Sequence, residues 1–200
     1  MKKLLALSVI LCIFGCKSAL KTSYGIKNPR LEDAHTIKEY LMERKIDTAN
    51  VFIFKNFFAF AMASKMKILL VPDAMFFDNQ GYLLPYREDA EKCNANVEQF
   101  ILDLKNSTNS THRSGRKMDD LLTMIESTSN NEIDKNSINV FITWAKFVGK
   151  LNKKKAFLWI DLLEKAKSEG VKVNYYLLNC DYQKSWDIPE ESKEKLGIKS

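Results

Sequence analysis

Cysteine and histidine side chains are the first candidates for redox or metal chemistry in this sequence. The 200 residues include four cysteines and two histidines, and no pair of them has the Cys-x-x-Cys or His-x-x-x-His spacing of a redox or zinc site. The motifs Gly-x-Gly-x-x-Gly, Gly-x-Ser-x-Gly and Walker A are also absent from the sequence. We therefore expect no bound metal, no cofactor and no catalytic residue of these kinds.

The N-terminus has the features of an export signal. Two lysines precede an apolar run over residues 4–14, which is shorter than the about 20 apolar residues that a membrane span needs. The run leads into Ile13-Phe14-Gly15-Cys16, which resembles the lipobox of bacterial lipoproteins. The resemblance implies that residues 1–15 are a signal peptide and that the mature chain begins at Cys16, which carries a diacylglyceryl group and a further acyl chain such as palmitate. The alternative is an ordinary secretory signal followed by a chance cysteine.

Acyl chains of this kind would make the protein a membrane-anchored lipoprotein, because each buried CH₂ contributes about 0.8 kcal/mol. Residues 16–30 are small, polar and basic, which is typical of a tether, and residues 31–200 have the length of one domain. In Gram-negative lipoproteins an aspartate after the cysteine favours retention in the inner membrane. Lys17 stands there instead, which predicts the outer membrane of the cell envelope, facing the periplasm.

The net charge of the mature chain and its two remaining thiols limit the partners and the chemistry that the sequence suggests. Loss of the signal removes two lysines, so the formal net charge falls from +6 to +4, and neither this modest excess nor export favours a nucleic acid. Cys93 and Cys180 are the thiols left in the mature domain. They could form one disulfide in an oxidising compartment, remain two buried thiols, or serve a thiol-disulfide or peroxide-handling enzyme.

Apolar periodicity predicts the elements that position these residues. In the first two thirds of the chain the pattern predicts four helices, one strand and a hairpin. The helices cover 31–45, 56–66, a stretch capped by Asn94 or Asn96 that runs to 104, and 118–125; the strand covers 51–54, and two apolar runs flank a turn at 78–81. Gly81 takes the turn position that needs a positive φ. The polar segment 105–117 has no hydrophobic period and is expected to be the main loop.

The apolar pattern in the last third of the chain predicts a βαβ unit. Residues 138–145 read as a strand, Asn152 begins a helix that Gly170 ends, and residues 171–180 read as the next strand. Two strands joined in this way are parallel with a right-handed crossover. Together with the hairpin and the flanking helices they predict an α/β sandwich.

The loop after the first of these strands resembles the redox site of thioredoxins. The family's strand ends in Phe-Trp-Ala-x-Trp-Cys-Gly-x-Cys, and here Trp144 matches the first tryptophan, Phe147 stands for the second, and the two cysteines fall on Val148 and Leu151. We call residues 145–151 the vestigial loop. Pro72 and the residues after it look like the family's cis-proline hairpin. The alternative reading of the two aromatic residues is that they end a core strand.

The resemblance implies a thioredoxin-like three-layer α/β sandwich with a mixed sheet, but the order of its parts differs from that of the family. Thioredoxins place the hairpin after the βαβ unit, whereas Pro72 precedes that unit here. Either the fold is circularly permuted or the two likenesses are separate. A permuted fold predicts that the strand over 140–145 lies antiparallel beside the strand over 72–78, with Pro72 near Leu151.

Two functions remain open. Because Val148 and Leu151 carry no thiol, dithiol exchange at the vestigial loop is excluded. The first reading is a redox-inactive binding or structural module that holds an extended peptide or an envelope protein between Phe147 and Pro72. The second is an enzyme that uses Cys93 or Cys180.

A run of lysines at 150 and 153–155 follows the vestigial loop. It is either a solvated helix face or a contact for an anionic partner, such as acidic lipid headgroups or an acidic protein.

Overall fold

The computed structural model describes residues 21–66, 69–86, 96–104, 115–129 and 131–198, and all statements below refer to them. Their elements follow one another in this order: β1 (Leu31–Glu32), α1 (Ala34–Met42), β2 (Val51–Phe54), α2 (Phe57–Lys65), β3 (Asp73–Phe77), β4 (Leu83–Leu84), α3 (Val97–Leu102), α4 (Met118–Met124), β5 (Ile125–Ser127), β6 (Ile138–Trp144), a 3₁₀ turn (Lys146–Val148), α5 (Lys150–Lys154), α6 (Ala156–Ser168), β7 (Val173–Asn179), β8 (Tyr182–Gln183) and α7 (Glu190–Leu196).

A six-stranded mixed sheet forms the centre of the domain, with the spatial order β4-β3-β6-β7-β2-β5. Strands β6, β7 and β2 are parallel to one another, whereas β5 runs antiparallel to β2, and β3 runs antiparallel to β6 with Asp73 opposite Thr143. The short strands β1 and β8 form a separate parallel pair. The strand–helix–strand unit predicted for the last third is therefore present, and its two strands are parallel as expected.

Alternate residues of β6 point to opposite faces of the sheet, so the strand divides the core in two. Val140, Ile142 and Trp144 pack with α1, α3 and α6 on one face, whereas Phe141 packs with α2 and α4 on the other. Every residue of β6 is buried, as expected for a central strand covered on both faces. The fold is a three-layer α/β sandwich with a mixed sheet, which confirms the predicted class.

The hairpin and the βαβ unit share one sheet, as the thioredoxin resemblance requires. Strand β3 lies directly beside β6 and antiparallel to it, and the Val71–Pro72 peptide bond that precedes β3 is cis. Gly81 occupies the hairpin turn with φ +80, in agreement with its prediction. Circular permutation of the chain stays a prediction.

Side-chain caps explain where the early helices begin. The Asp33 carboxylate accepts the Thr36 N–H at 2.8 Å, and the Thr36 hydroxyl accepts the Asp33 N–H at 3.0 Å, which is a capping box before α1. The Asn56 side chain accepts the Ala59 N–H at 2.9 Å and caps α2. These caps satisfy backbone donors that lack a partner within the first helical turn.

Three sequence predictions of element boundaries are wrong. The helix predicted over 31–45 spans only Ala34–Met42, because Leu31–Glu32 form the strand β1. Ile125 was expected in a helix, but α4 ends at Met124 and Ile125 begins the edge strand β5, which pairs with β2. The helix after the vestigial loop begins at Lys150 rather than Asn152, and it is broken at Lys155, whose φ of −132° and ψ of −85° are not helical. Asn152 is buried within α5 instead of capping it.

Candidate functional site

The vestigial loop leaves the end of β6 through Ala145, makes the 3₁₀ turn and enters α5 at Gly149. Val148 is buried and Leu151 is half-buried, and both pack in the core between the sheet and α2. The two positions that hold cysteines in the thioredoxin pattern are thus apolar packing positions. The loop itself offers no nucleophilic side chain there.

The aromatic residues of the pattern lie on opposite sides of the sheet. Trp144 is fully buried and stacks on Tyr40, with ring centroids 5.5 Å apart and planes 17° apart, and it also contacts Phe157 at 5.8 Å. Phe147 is half-buried and packs in the other half of the core. Both residues therefore contribute to the core, which is the alternative role that the sequence leaves open for them.

The hairpin start is fixed to the sheet beside the vestigial loop. Pro72 is buried, and the Thr143 hydroxyl accepts the Asp73 N–H at 2.7 Å and donates to the Leu70 carbonyl at 2.5 Å. The Tyr86 hydroxyl donates to the Asp73 carboxylate. One β6 side chain thus holds the backbone on both sides of Pro72.

The buried carboxylate of Asp181 fixes the first residues of the vestigial loop by accepting a backbone hydrogen bond. Its carboxylate accepts the Lys146 N–H and the Asn179 side-chain amide, each at 2.8 Å. Burial and, to a smaller extent, the negative charge of Glu32 raise the pKa of Asp181, the two donors lower it, and the net result is a pKa of about 6. Glu32 itself pairs with the Lys146 ammonium at 2.6 Å.

The described part of the predicted tether packs on the vestigial loop. Residues 21–24 form a helical turn that ends at Gly25, where the Gly25 N–H donates to the Thr22 carbonyl at 3.0 Å and the Ile26 N–H donates to the Lys21 carbonyl at 2.9 Å. This pair of bonds is a Schellman motif, and Gly25 has the positive φ, +62°, that it favours. We call residues 21–28 the N-terminal segment.

Backbone groups make the contact between the N-terminal segment and the loop. The Lys27 N–H donates to the Phe147 carbonyl at 2.8 Å. A Cβ atom on Gly149 would lie 2.4 Å from the Gly25 carbonyl oxygen and 2.6 Å from that of Tyr24, so only glycine fits at this point. Gly149 also has φ +60° and ψ −124°, which a residue with a side chain rarely adopts.

Sequence reasoning missed this contact because it involves backbone atoms and not an apolar pattern. The sequence feature that could have indicated the contact is the presence of two glycines, Gly25 and Gly149. Both have a positive φ in the structure.

The one sequence-predicted thiol within the described residues is not accessible. Cys180 is a free, buried cysteine whose Sγ–H donates to the Leu178 carbonyl at 3.5 Å. Burial, followed by the charge of Asp181, raises the thiol pKa well above its ordinary value. A thiol of this kind is a poor nucleophile. Cys93 and Cys16 lie outside the described residues, so the disulfide and the lipid attachment stay predictions.

A separate apolar cavity of about 180 Å³ lies between the hairpin and α4. Three methionines, Met66, Met75 and Met124, line it together with Tyr86. Met66 also continues a row of exposed apolar side chains on α2 that includes Phe58 and Met62. The sequence analysis did not predict this cavity, because its walls come from three distant parts of the chain.

Comparison of the chain with known protein families, with characterised proteins and with solved structures gives no significant match. Within the described residues, no group of three or more His, Cys, Asp or Glu side chains is arranged to hold a metal ion. No helix in that part of the chain is both long and apolar enough to cross a bilayer. The contacts of the vestigial loop and its surroundings are therefore the observations that bear on function.

Proposed function

We propose that this protein is a membrane-anchored, redox-inactive thioredoxin-like lipoprotein that acts as a binding or structural module in the cell envelope. The observation that carries the proposal is the occupied vestigial loop: its Phe147 carbonyl and Gly149 receive the backbone of the chain's own N-terminal segment. A loop that binds backbone in this way has the chemistry of a peptide-holding surface. It does not have the chemistry of a thiol-disulfide centre.

The missing thiols support the redox-inactive part of the proposal. Disulfide exchange needs an accessible thiolate and a second thiol to resolve the mixed disulfide. Val148 and Leu151 supply neither, and Cys180 is buried with a raised pKa. No described residue offers a substitute near the loop, so the enzyme reading would depend on Cys93 acting without the Cys180 thiol.

The contacts of the N-terminal segment suggest how the module works. The Lys27 N–H donates to the Phe147 carbonyl, the acceptor that an extended peptide from an envelope protein would use for strand addition at this loop. The segment therefore has one of two roles in this proposal. It either fixes the domain to the anchored N-terminus, or it competes with a partner peptide for Phe147.

Two measurements test the proposal. Mass spectrometry of the N-terminal peptide should find an acylated Cys16, and Cys16→Ser should release the protein from membranes. In an insulin-reduction assay the purified protein should show no turnover above the uncatalysed rate. A soluble mature protein without acyl chains would refute the anchor, and turnover that Cys93→Ser or Cys180→Ser abolishes would establish the enzyme reading instead.

A further inference from the structure

The surface around the docked N-terminal segment is rich in lysine. Lys150 and Lys154 lie one helical turn apart on α5 and are exposed, and Lys21 and Lys27 are exposed on the segment that packs there. The Lys154 ammonium lies 5.2 Å from the centre of the Tyr24 ring, which brings the two groups of lysines together. We call these four lysines the basic face.

Acidic side chains of the described residues do not form ion pairs with the basic face. Two other lysines of the same region are paired, Lys146 with Glu32 at 2.6 Å and Lys155 with Glu98 at 3.0 Å. Within the described ranges, no carboxylate forms an ion pair with any of the four lysines of the basic face. Their positive charges are therefore free to attract an anionic partner.

The length of the chain before residue 21 determines which surface of the domain is nearest to the anchor. Cys16 and Lys21 are five residues apart, a distance of at most about 18 Å even when fully extended. A free tether over 16–30 would reach about 50 Å and leave the domain unoriented. Because residues 21–28 are docked beside Gly149, the basic face lies at the anchored end of the domain.

From this placement we infer that the basic face lies against the membrane and binds the phosphate groups of anionic phospholipids. Lysines within a Debye length of such a surface, about 8 Å at physiological ionic strength, are attracted to it. The inference rests on the lipid anchor of the proposed function. It adds the orientation of the domain and the chemical class of the headgroups that it contacts.

The experiment uses the acylated protein in phosphatidylcholine vesicles, with or without about one third phosphatidylglycerol. Lysine acetylation is mapped by mass spectrometry. We expect Lys21 and Lys27 to react about threefold more slowly in the anionic vesicles, and the difference to vanish at about 1 M salt, where the Debye length is about 3 Å. Lys167, in the last turn of α6, and Lys172, beyond that end of the helix, are the internal reference and should react equally in both kinds of vesicle.

A pair of matched variants separates headgroup binding from general charge. Lys150→Glu with Lys154→Glu should abolish the protection of Lys21 and Lys27, whereas Lys167→Glu with Lys172→Glu, which changes the net charge equally, should leave it. Both changed side chains are exposed, so the first variant should fold, which circular dichroism checks.

Equal labelling in the two kinds of vesicle overturns the inference, and it is the result that an acidic protein partner would give. Protection that survives the change of Lys150 and Lys154 overturns it as well. Failure of the proposed function is distinguished beforehand, because the same mass spectra show whether Cys16 is acylated. An unacylated Cys16 removes the anchor and the orientation that depends on it.

Discussion

The backbone N–H of Lys27 donates a hydrogen bond of 2.8 Å to the carbonyl oxygen of Phe147, joining a segment expected to be a free tether to the loop expected to be a lost redox site. The two residues are far apart in sequence, so the bond closes the N-terminal segment onto the end of the central strand. This contact explains why a loop without thiols keeps a specific shape. Its backbone groups have a partner.

Gly149 should tolerate no side chain, because its contact with the segment is too close. We expect Gly149→Ala to lower the free energy of unfolding by about 3 kcal/mol, since it combines a strained positive φ with a Cβ 2.4 Å from the Gly25 carbonyl oxygen. Urea unfolding measures the change. Gly197→Ala is the matched control, because Gly197 has a similar φ, +64°, and open space around it, and should cost about 1 kcal/mol. Equal losses in the two variants would show that the Gly149 contact is not made.

Asp181 should make stability depend on pH with a sign opposite to that of most carboxyls. Its pKa rises from 3.8 to about 6 on folding, mainly through burial. A carboxyl whose pKa is higher in the folded state stabilises fully below its unfolded pKa, and this contribution is lost as the pH rises through about 6. The difference between 3.8 and 6 corresponds to at most about 3 kcal/mol.

The measurement compares Asp181→Asn with the unaltered protein by urea unfolding at pH 4 and pH 7. The stability of the variant relative to the unaltered protein should rise by about 2 kcal/mol between the two values. Asp33, whose pKa the hydrogen bond from Lys184 lowers to about 2, has the opposite pH dependence but cancels in this comparison. A difference that does not change with pH would mean that Asp181 titrates normally.

Cys180 should be unreactive in the folded protein. A mature chain with Cys16→Ser and Cys93→Ser leaves Cys180 as its single thiol. Because the side chain is buried, we expect a thiol reagent to modify it at least about a hundredfold more slowly than in the urea-unfolded chain, through opening of the fold. Rapid labelling of the folded protein would show that the Cys180 thiol is accessible and reactive.

The sequence predicts most of the sheet because its strands carry strong local signals. The mostly apolar run of β6, the helix that follows and the glycine of the hairpin each identify their element, and parallel pairing follows from the crossover. The edge strand β5 was missed because three residues at Ile125 are too few to show a period. The break at Lys155 was missed because a lysine has no intrinsic tendency to end a helix.

The candidate site was predicted only in part. The choice of Val148, Leu151 and Pro72 as site residues comes from their resemblance to the thioredoxin pattern. The N-terminal segment that packs on the loop could not be predicted, since residues 21–28 are small and polar, which is typical of a linker. What holds it is backbone geometry at Gly25 and Gly149, and backbone contacts leave no periodic trace in a sequence.

The exchange rate of the Lys27 amide hydrogen tests the central claim most directly. If the vestigial loop holds the N-terminal segment, this amide should be protected by at least about tenfold relative to an unstructured peptide, and Gly149→Ala should remove the protection. The neighbouring Asn28 amide, which forms no backbone hydrogen bond within the described residues, is the reference in the same spectrum. A Lys27 amide that exchanges at the unstructured rate in the unaltered mature protein would contradict the account.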